Sequence, residues 1–399
     1  MRIAPACVVS FCLAAALQGA APARTPITCG PYLQSPGATD MTIMWETAAP
    51  AAGKLLYGTT PEYGWSFFEP EAVVLHAVAL SDLQPGTRYH YKVLPTLPAE
   101  EAHARTGTFV TAPAGKDVST LPAEEAHART GTFVTAPADK DGFVFAAFGD
   151  SRDNPVVLEA IAEKVAAAAP AFFIHLGDFV ANGNQSALWR RDFFAPAAAL
   201  LSTAPLLPVL GNHEEHAPQY FQYFMVPAVE SGSDTEAWYS CDYGSVHITV
   251  LDSQQDFRPT SAQYRWLLRD LASERADAAA WRIVALHDHV HSSSRRGPNT
   301  LVQKHLAPLW EAYRVSLVLS GHEHAYMRSV KNGITYVVTG GGGAPLYPVN
   351  LTENPFQVYA NSCYHYVLFE ADATSLRGRA HDAAGELLDK FSIDPPPPR

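Results

Sequence analysis

The sequence predicts an all-β domain followed by an α/β domain whose central β-sheets are sandwiched by helices. Between Thr28 and about Ala138 the chain is strand-like, with apolar runs separated by turn residues. From Gly142 onward, nearly continuous apolar runs alternate with helix-forming segments, which is typical of a layered α/β core. With 399 residues, of which 47% are hydrophobic and 17% charged, the chain can bury two cores.

An N-terminal secretory signal is predicted over residues 1–23. Arg2 supplies a positive start, Val8–Leu17 is a short apolar stretch, and residues 21–23 (Ala-Pro-Ala) form a small-residue cleavage site. Because the apolar stretch is too short to span a bilayer, we expect a secreted or periplasmic protein without stable membrane insertion. Removal of the signal leaves an odd number of cysteines, which permits at most one internal disulfide and leaves its pairing open. These cysteines are Cys29, Cys241 and Cys363.

The first domain, residues 24–141, contains short alternating segments that favour β-strands. The predicted strands are Met41–Trp45, Gly53–Tyr57, Ala72–Leu80 and Tyr89–Val93. The Leu-x-Pro-x-Thr-x-Tyr sequence that leads into the last of these strands, with the upstream Trp45, resembles a fibronectin type III sandwich. We expect Trp45 and Tyr89 to pack in the core rather than to contact carbohydrate or a partner.

An internal repeat interrupts this domain. Residues 96–114 recur without change as residues 120–138. Two copies are too few for a solenoid, so the repeat indicates a recent tandem duplication or an assembly error. One sandwich needs only one final strand, and the surplus copy is expected to form an exposed loop or hairpin. His103 and His127, which are duplicated with it, are therefore poor candidates for metal ligands.

The second domain is predicted to cover residues 142–394, followed by a disordered proline-rich tail at residues 395–399. The predicted strands are Phe143–Phe148, Ala171–Leu176, Leu206–Leu210, Ser245–Leu251, Arg282–Leu286 and Val315–Leu319. The predicted helices are Pro155–Ala168, Gln263–Ser273 and Leu301–Tyr313. In such sheets the functional residues lie in loops at the carboxyl ends of the strands.

Five of these strands are followed at once by a segment that contains residue types able to bind metal ions. The segments contain, in chain order, Asp150; Asp178; Asn212 with His213 and Glu214; His287; and His322 with His324. Each group alone has an ordinary explanation as a helix cap, a turn or polar surface. Their coincidence in residue type, order and position after a strand instead predicts a site for a pair of divalent or trivalent cations.

This set of motifs is similar to that of the calcineurin-like metallophosphoesterases, from about Phe143 to Gly343. Together with the first domain, it resembles a purple-acid-phosphatase-like member of that family. The resemblance implies two metal ions bridged by Asp178. The other implied ligands are Asp150 and His324 for the first ion, and Asn212, His287 and His322 for the second. His213 would not bind metal but would hold a phosphate oxygen or protonate the leaving group.

Two positions depart from the family pattern. Three residues after Asp178, where purple acid phosphatases carry the tyrosine that gives their colour, this chain has Ala181. Two residues after Asp150, where other members carry a histidine, it has Arg152. We therefore expect a colourless protein in which water fills one ligand position, and Fe, Zn or Mn all suit the remaining nitrogen and oxygen donors. Arg152 is expected either to contact substrate phosphate or to pair with Asp153 or another acid.

The resemblance implies hydrolysis of a small phosphomonoester, as in acid phosphatases, by a metal-bound hydroxide, with His213, Arg152 and Asp150 as catalytic residues. A phosphodiesterase that uses the same site stays open as an alternative. So does a non-catalytic secreted protein that binds metal or serves in adhesion. The net charge of −12 and the pI near 5.7 argue against nucleic-acid or anionic-membrane partners.

Two further features are weaker candidates. His289 and His291 follow His287 and could assist it, although their spacing matches the family only loosely. The run Gly340–Gly343 lacks the Lys-Ser/Thr pair of a nucleotide-binding loop. It is expected instead to let the chain turn tightly beneath the metal site.

Overall fold

The computed structural model describes residues 25–96, 128–138, 141–226, 236–294, 296–351 and 354–395. The predicted signal peptide, most of the first copy of the repeat with His103, His127 in the second copy, and the end of the proline-rich tail lie outside these ranges. The chain forms two compact units. One contains the described residues up to Ala136 together with Leu201–Pro205, and the other contains those of Pro137–Leu200 and Leu206–Arg399.

The first unit is all-β, as predicted. Its strands are β1 (Ile27–Gln34), β2 (Met41–Thr60), β3 (Tyr63–Leu80), β4 (Arg88–Thr96) and β5 (Arg129–Val134). Each is antiparallel to its neighbours, and β2 pairs with β1, β3 and β4. The prediction of separate strands before and after residue 50 was wrong, because β2 continues through a register shift between Glu46 and Ala51. Such a bulge lets one strand bend without losing its partner.

The aromatic residues of the first unit pack in its core. Trp45 is fully buried and stacks on His76, with ring centroids 4.6 Å apart. Tyr89 is also buried, and its hydroxyl accepts a hydrogen bond from the backbone N–H of Gln84 at 2.9 Å. Both side chains therefore serve the fold rather than an exposed contact. The closer likeness to a fibronectin type III sandwich stays a prediction.

The second copy of the repeat supplies the last strand of this unit. Strand β5 pairs along its length with β4, and Phe133 of β5 stacks on Tyr89 with centroids 5.3 Å apart. The two copies have the same sequence, so the composition of the strand does not distinguish them.

The second unit is a mixed α/β structure, as predicted. Its strands are β6 (Phe143–Phe148), β7 (Phe172–His175), β8 (Leu206–Pro208), β9 (Tyr239–Tyr243), β10 (Val246–Val250), β11 (Trp281–Leu286), β12 (Leu317–Ser320), β13 (Tyr326–Lys331), β14 (Ile334–Thr339), β15 (Gln357–Asn361), β16 (His365–Ala371), β17 (Leu376–Asp382) and β18 (Leu387–Ile393). Its helices are α1 (Pro155–Ala167), α2 (Ser186–Leu188), α3 (Ala198–Leu201), α4 (Pro218–Tyr223), α5 (Ala262–Leu271), α6 (Glu274–Ala278), α7 (Thr300–His305) and α8 (Ala307–Ala312).

The strands of this unit form two sheets. One has the order β18-β17-β16-β6-β7-β8, and the other has the order β15-β13-β14-β12-β11-β10-β9. The central strands β6, β7 and β8 are parallel, as are β10, β11, β12 and β14, whereas the outer strands are antiparallel. Parallel neighbours end at the same edge of a sheet, so the loops that follow them meet there.

Helices α5, α7 and α8 cover a face of the second sheet. Trp266 of α5, Val302 of α7 and Trp310 of α8 share one hydrophobic cluster with Val284 of β11 and Tyr336 of β14. Burial of such side chains contributes roughly 1.5–3 kcal/mol each.

The single helix predicted over residues 301–313 is wrong, because α7 and α8 are separate helices that meet at Leu306. Pro308 lies in the first turn of α8. Proline has no N–H and clashes with the carbonyl four residues earlier, so it is tolerated at a helix start and not inside a helix.

Within the ranges given above, every helix is too short or too polar to traverse a lipid bilayer. Cys29, Cys241 and Cys363 are thiols, and Cys241 is buried in strand β9. The single disulfide that the sequence permitted is therefore not formed in the structure.

A buried histidine, His247 of β10, joins three elements of the second unit. Its Nδ1 lies 2.6 Å from Asp242 Oδ1, and its Nε2 lies 3.2 Å from Asp270 Oδ2. Thr249 and Arg275 add hydrogen bonds to the two carboxylates. Burial lowers the pKa of His247, but the hydrogen bonds and charges of the two aspartates raise it to about 9. The imidazolium therefore stabilises the folded state.

We predict that His247→Gln lowers the free energy of unfolding by about 3 kcal/mol near neutral pH, because it leaves the buried Asp270 without its cation. The folded pKa exceeds the unfolded value of 6.5. The contribution is thus complete below about pH 6.5 and fades as the pH rises through about 9. Urea unfolding at about pH 6 and about pH 9.5 measures it. His305→Gln, on a partly exposed histidine of α7, is the control. A loss that is equal at both pH values, or equal in the control, would contradict the assignment.

Candidate metal centre

The residues predicted to bind metal lie in loops at the carboxyl ends of parallel strands. Asp150 follows β6, Asp178 follows β7, and Asn212 follows β8 in one sheet. His287 follows β11, and the pair His322 and His324 follows β12 in the other. The structure therefore brings all six side chains to one region of the second unit.

Three of these side chains form a buried cluster. Ligand atoms of Asp150, Asp178 and His324 all lie within 4.8 Å of one another. His324 Nε2 is 3.4 Å from Asp150 Oδ1, and its Nδ1 donates to the carbonyl of Pro345 at 2.7 Å. A hydrogen bond from the second ring nitrogen fixes the orientation of a metal-binding histidine. We call this set the first cluster.

The other predicted ligands form a second cluster that shares Asp178. His287 Nε2 lies 3.4 Å from Asp178 Oδ1, 3.1 Å from Asn212 Oδ1 and 3.2 Å from His322 Nδ1. His287 Nδ1 donates to the carbonyl of Leu176 at 2.7 Å, so Nε2 is the atom that faces the cluster. Asn212 is exposed and His322 is half-buried, which leaves this cluster more open than the first.

The charges of the two clusters shift the pKa values of their histidines. Burial lowers the pKa of His287, but Asp178 and Asp150 raise it to about 9. Burial and the charge of His287 lower the pKa of His322 to about 2. Burial raises the pKa of Asp178, but His287, His213 and Arg152 bring it below its usual value. The Asp178 carboxylate is therefore held ionised and attracts positive charge.

Strained backbone holds three of the side chains in place. Asp150, Asp178 and His322 have φ values of 57°, 56° and 66°, in the left-handed region that residues with a Cβ rarely adopt. Each such residue costs on the order of 1 kcal/mol, and they occur mostly at functional sites. Gly321 lies so close to Asp150 that an added Cβ would be 2.5 Å from Oδ2.

Glu214 connects two of the loops. This fully buried residue accepts three backbone hydrogen bonds of 2.8 Å, from Asp178 and Gly211 through Oε2 and from Phe179 through Oε1. Burial and the charge of Asp178 raise its pKa to about 8, against the effect of the N–H donors. The sequence placed Glu214 in a motif without a role, and the structure shows that it positions the loops of Asp178 and Asn212.

His213 is held beside Asp178, the residue that the two clusters share. Its backbone N–H donates to Asp178 Oδ1 at 2.9 Å, and its Nδ1 donates to the carbonyl of Ala181 at 2.8 Å. Its Nε2 lies 3.8 Å from Asp178 Oδ2. Because the contact with Ala181 uses the backbone, it does not depend on the side chain at that position.

Arg152 lies against two carboxylates. Its Nη1 donates to Asp153, and its Nε lies 3.4 Å from Asp178 Oδ2. The predicted pairing with Asp153 is thus present, and the guanidinium also reaches the shared residue of the two clusters. The alternative, a contact with substrate phosphate, stays a prediction.

His289 and His291, the two histidines that could assist His287, have different surroundings. His289 stacks on His322, with centroids 5.9 Å apart, and donates from Nε2 to the carbonyl of Gly297. His291 instead packs against Tyr336 and accepts from Gln303, among the helices of the second sheet.

The glycine run lies against the first cluster. A Cβ on Gly340 would be 2.7 Å from Asp150 Oδ2 and 2.4 Å from the carbonyl of Glu323. Close approach of the backbone explains this glycine, and its φ lies outside the left-handed region that would require one.

The donor set suits metal ions. Two imidazole nitrogens, His287 Nε2 and His322 Nδ1, face each other at 3.2 Å beside Asn212 Oδ1 and Asp178 Oδ1. Carboxylate, amide and imidazole donors in this mixture fit Fe, Zn or Mn. Hydrogen bonds from the remote nitrogens of His287 and His324 complete the arrangement expected of metal ligands.

The comparisons with known families agree with this site. Residues 143–326 match the calcineurin-like phosphoesterase family, and residues 28–111 match the N-terminal domain of purple acid phosphatases. The chain therefore contains a calcineurin-like phosphoesterase domain preceded by a purple acid phosphatase N-terminal domain. The family and the buried first cluster together indicate metal binding.

The similar proteins include plant purple acid phosphatases. Purple acid phosphatase 23 of Arabidopsis thaliana is 33% identical over 162 residues, which cover 36% of this chain and 35% of that protein. Probable inactive purple acid phosphatase 1 of the same plant is 25% identical, covering 52% of this chain and 42% of that protein. The chain thus spans less than half the length of these relatives. Phosphoenolpyruvate phosphatase of Allium cepa is 24% identical and covers 82% of this chain and 66% of that protein.

Solved structures share the fold. A purple acid phosphatase from yellow lupin (Lupinus luteus) seeds superposes with a TM-score of 0.73 at 18% identity, covering 94% of this chain and 74% of the other. The structure of PhoD gives a TM-score of 0.67 at 13% identity, covering 93% of each chain. Both similarities support the fold described above, an all-β unit and an α/β unit.

Sequence reasoning missed three residues around the second cluster. Arg296, Glu323 and Tyr347 lie beside His322 or His324. Arg296 lies farther along the loop that begins with His287, and Tyr347 follows β14, which carries no ligand motif, so no spacing marked either residue. Glu323 lies between His322 and His324 in the sequence, and the motif alone assigned it no role.

We predict that Glu214→Gln weakens metal binding about 10-fold or more, because one of its oxygens would be replaced by an N–H donor that faces other donors. Metal bound per chain, measured by elemental analysis after dialysis against limiting metal, tests this. Glu215→Gln is the matched control, since Glu215 is exposed and its carboxylate accepts a hydrogen bond from the side chain of Asn184 at 3.0 Å. Equal retention of metal by both variants would contradict the role of Glu214.

Proposed function

We propose that the protein is an exported phosphoesterase with two metal ions, and that it hydrolyses phosphomonoesters. The observation that carries the proposal is the convergence of two donor clusters on Asp178, with His213 beside them. The match of residues 143–326 to the calcineurin-like phosphoesterase family and the names of the relatives support this class of activity.

In this proposal Asp178 would be shared by the ligand sets of two ions of Fe, Zn or Mn. Asp150 and His324 would hold the first ion, and Asn212, His287 and His322 would hold the second. When bound, two such ions would acidify a water molecule and offset the charge of the phosphoryl group. The exposed Asn212 and half-buried His322 leave the second cluster open on the side from which substrate would enter.

His213 supplies the proton for the leaving group. The carbonyl of Ala181 accepts a hydrogen bond from Nδ1–H, so the second proton of the imidazolium is on Nε2, the atom near Asp178 Oδ2. General acid catalysis of this kind contributes typically 10²–10⁴-fold. The same Nε2–H could instead hold a phosphate oxygen, which would also lower the barrier.

Arg152 is the second side chain assigned to catalysis. Its guanidinium reaches Asp178 while it is paired with Asp153. A planar guanidinium in this position can hold a phosphate oxygen with the donors that the aspartates leave unused. The two roles that the sequence left open are therefore compatible.

Two alternatives use the same geometry. A phosphodiesterase would place a second ester group in the open side of the second cluster. A non-catalytic metal-binding protein is suggested by the relative named probable inactive purple acid phosphatase 1. Export rests on the predicted signal sequence alone, and the expected partner is a small phosphoester substrate.

The decisive variants are Asp178→Ala and His213→Ala. We expect the wild type to contain metal and to hydrolyse nitrophenyl phosphate faster than bis-nitrophenyl phosphate. Asp178→Ala should lose metal and activity, since it removes the ligand common to both clusters. His213→Ala should keep its metal and lose about 100-fold or more in kcat. Elemental analysis and steady-state kinetics on the same samples give both quantities.

His381→Ala, on a partly exposed histidine of β17, is the control and should match the wild type. A metal-loaded wild type that hydrolyses neither ester would reject the enzyme in favour of a binding protein. Faster turnover of the bis-ester would establish the phosphodiesterase, and loss of metal from His213→Ala would show that His213 is a ligand.

The protein is expected to be colourless even when loaded with iron. Ala181 cannot provide a phenolate, and Tyr347, whose ring stacks on His324, directs its hydroxyl to Arg296. Visible absorption of the iron-loaded wild type should therefore lack a charge-transfer band. Ala181→Tyr is the matched variant that should gain one. A purple wild type would show that another tyrosine binds the iron.

A further inference from the structure

A half-exposed arginine lies at the rim of the second cluster. Arg296 donates from Nη1 to His322 Nε2 at 2.8 Å and from Nη2 to the hydroxyl of Tyr347 at 3.0 Å. Its guanidinium carbon lies 5.1 Å from the centre of the Tyr347 ring. Its backbone N–H donates to Ser294 Oγ, so both ends of the residue are held. The side chain keeps 43% of its surface exposed.

Arg296 lies on the far side of the His322 ring from the ligand atoms. His322 Nδ1 faces His287 Nε2, whereas Arg296 contacts Nε2 of the same ring. The two nitrogens of an imidazole point away from each other. Arg296 is therefore outside the set of atoms that would hold the phosphoryl group and beside the path of the group attached to it.

The positive charge of Arg296 is not neutralised by a close ion pair. Its ion pair within the described part of the chain is with Glu323, whose Oε1 lies 3.9 Å from Nε. Glu323 is fully buried, and neither of its carboxylate oxygens has a hydrogen bond among the described residues. At 3.9 Å this carboxylate attracts the guanidinium of Arg296 but accepts no hydrogen bond from its N–H groups.

Metal binding by His322 would leave an N–H group of Arg296 without its present acceptor. An arginine can only donate, so His322 Nε2 accepts from Arg296 in this structure. If Nδ1 of His322 binds metal as a neutral imidazole, its remaining proton lies on Nε2. That nitrogen then no longer accepts, and Nη1 of Arg296 requires another acceptor.

We propose that Arg296 binds a second anionic group, a carboxylate or a phosphate, on the leaving group of the substrate. This inference rests on the proposed function and names its substrate class, phosphomonoesters of anionic alcohols. A guanidinium presents paired donors that match either anion. In a chain of net charge −12, such a substrate needs a local cation to offset general repulsion.

Two substrates that differ in one group test the proposal. Phosphoglycolate carries a carboxylate where ethyl phosphate carries a methyl group. We expect the metal-loaded wild type to prefer phosphoglycolate. Arg296→Gln should lower kcat/KM for phosphoglycolate about 10-fold, mainly through KM, because a charged hydrogen bond is lost. It should change kcat/KM for ethyl phosphate by less than about 3-fold. Propane-1,3-diol bisphosphate shows whether phosphate replaces carboxylate as the second anion.

Binding without turnover gives a second measurement. Calorimetry with 3-phosphonopropionate and with propylphosphonate compares the same two groups in molecules that are not hydrolysed. Arg296→Gln should weaken only the first, and Arg296→Lys should restore part of the loss because it keeps the charge without the fork. Arg258→Gln is the control, since Arg258 is exposed and pairs with Asp256.

The outcomes separate this inference from the proposed function. An equal loss for both substrates and both phosphonates would place Arg296 on the phosphoryl group and overturn the proposal. No loss in either measurement would overturn it as well, and so would loss of metal from Arg296→Gln. A wild type that hydrolyses neither ester would refute the proposed function. In that case a selective loss of 3-phosphonopropionate binding would still support the anion site.

Discussion

The burial of two neighbouring carboxylates is the constraint on which the site depends. Asp150 and Asp178 are buried at the ends of adjacent parallel strands, where ionised groups lose hydration and repel each other. Backbone N–H groups, imidazoles and the guanidinium of Arg152 surround them. Bound metal ions would offset the remaining negative charge of the two carboxylates, which explains why the donor atoms converge. The strained backbone at both aspartates is the cost of directing them to one point.

The site could be predicted from the sequence because its residues are local signals. Each ligand stands directly after an apolar run, and parallel strands bring such positions to one edge. The six predicted ligands are accordingly near one another, although metal binding by them stays a prediction. The α/β core and the all-β first domain followed from the same apolar patterns. Trp45 and Tyr89 lie in the core for the reason that large aromatic residues usually do.

The features that the sequence did not predict depend on contacts between residues that are distant in the chain. The bulge within β2 and the break at Leu306 are decided by pairing and by one proline, whereas hydrophobic periodicity continues across both. The two identical repeat copies cannot be told apart by composition. Arg296 lies beside His322 and Tyr347 only after folding, and no spacing in the sequence indicates it. The departures at Ala181 and Arg152 and the possible pairing of Arg152 with Asp153 were visible in the sequence, but the approach of Arg152 to Asp178 required the structure.

The most direct test of the central claim is crystallography of the metal-loaded protein with anomalous scattering at the absorption edge of the bound metal. The account predicts two peaks about 3.5 Å apart, one on each side of the Asp178 carboxylate. The first should contact Asp150 and His324, and the second should contact His287 and His322. A single peak, or two peaks of which neither touches Asp178, would contradict the two-metal site.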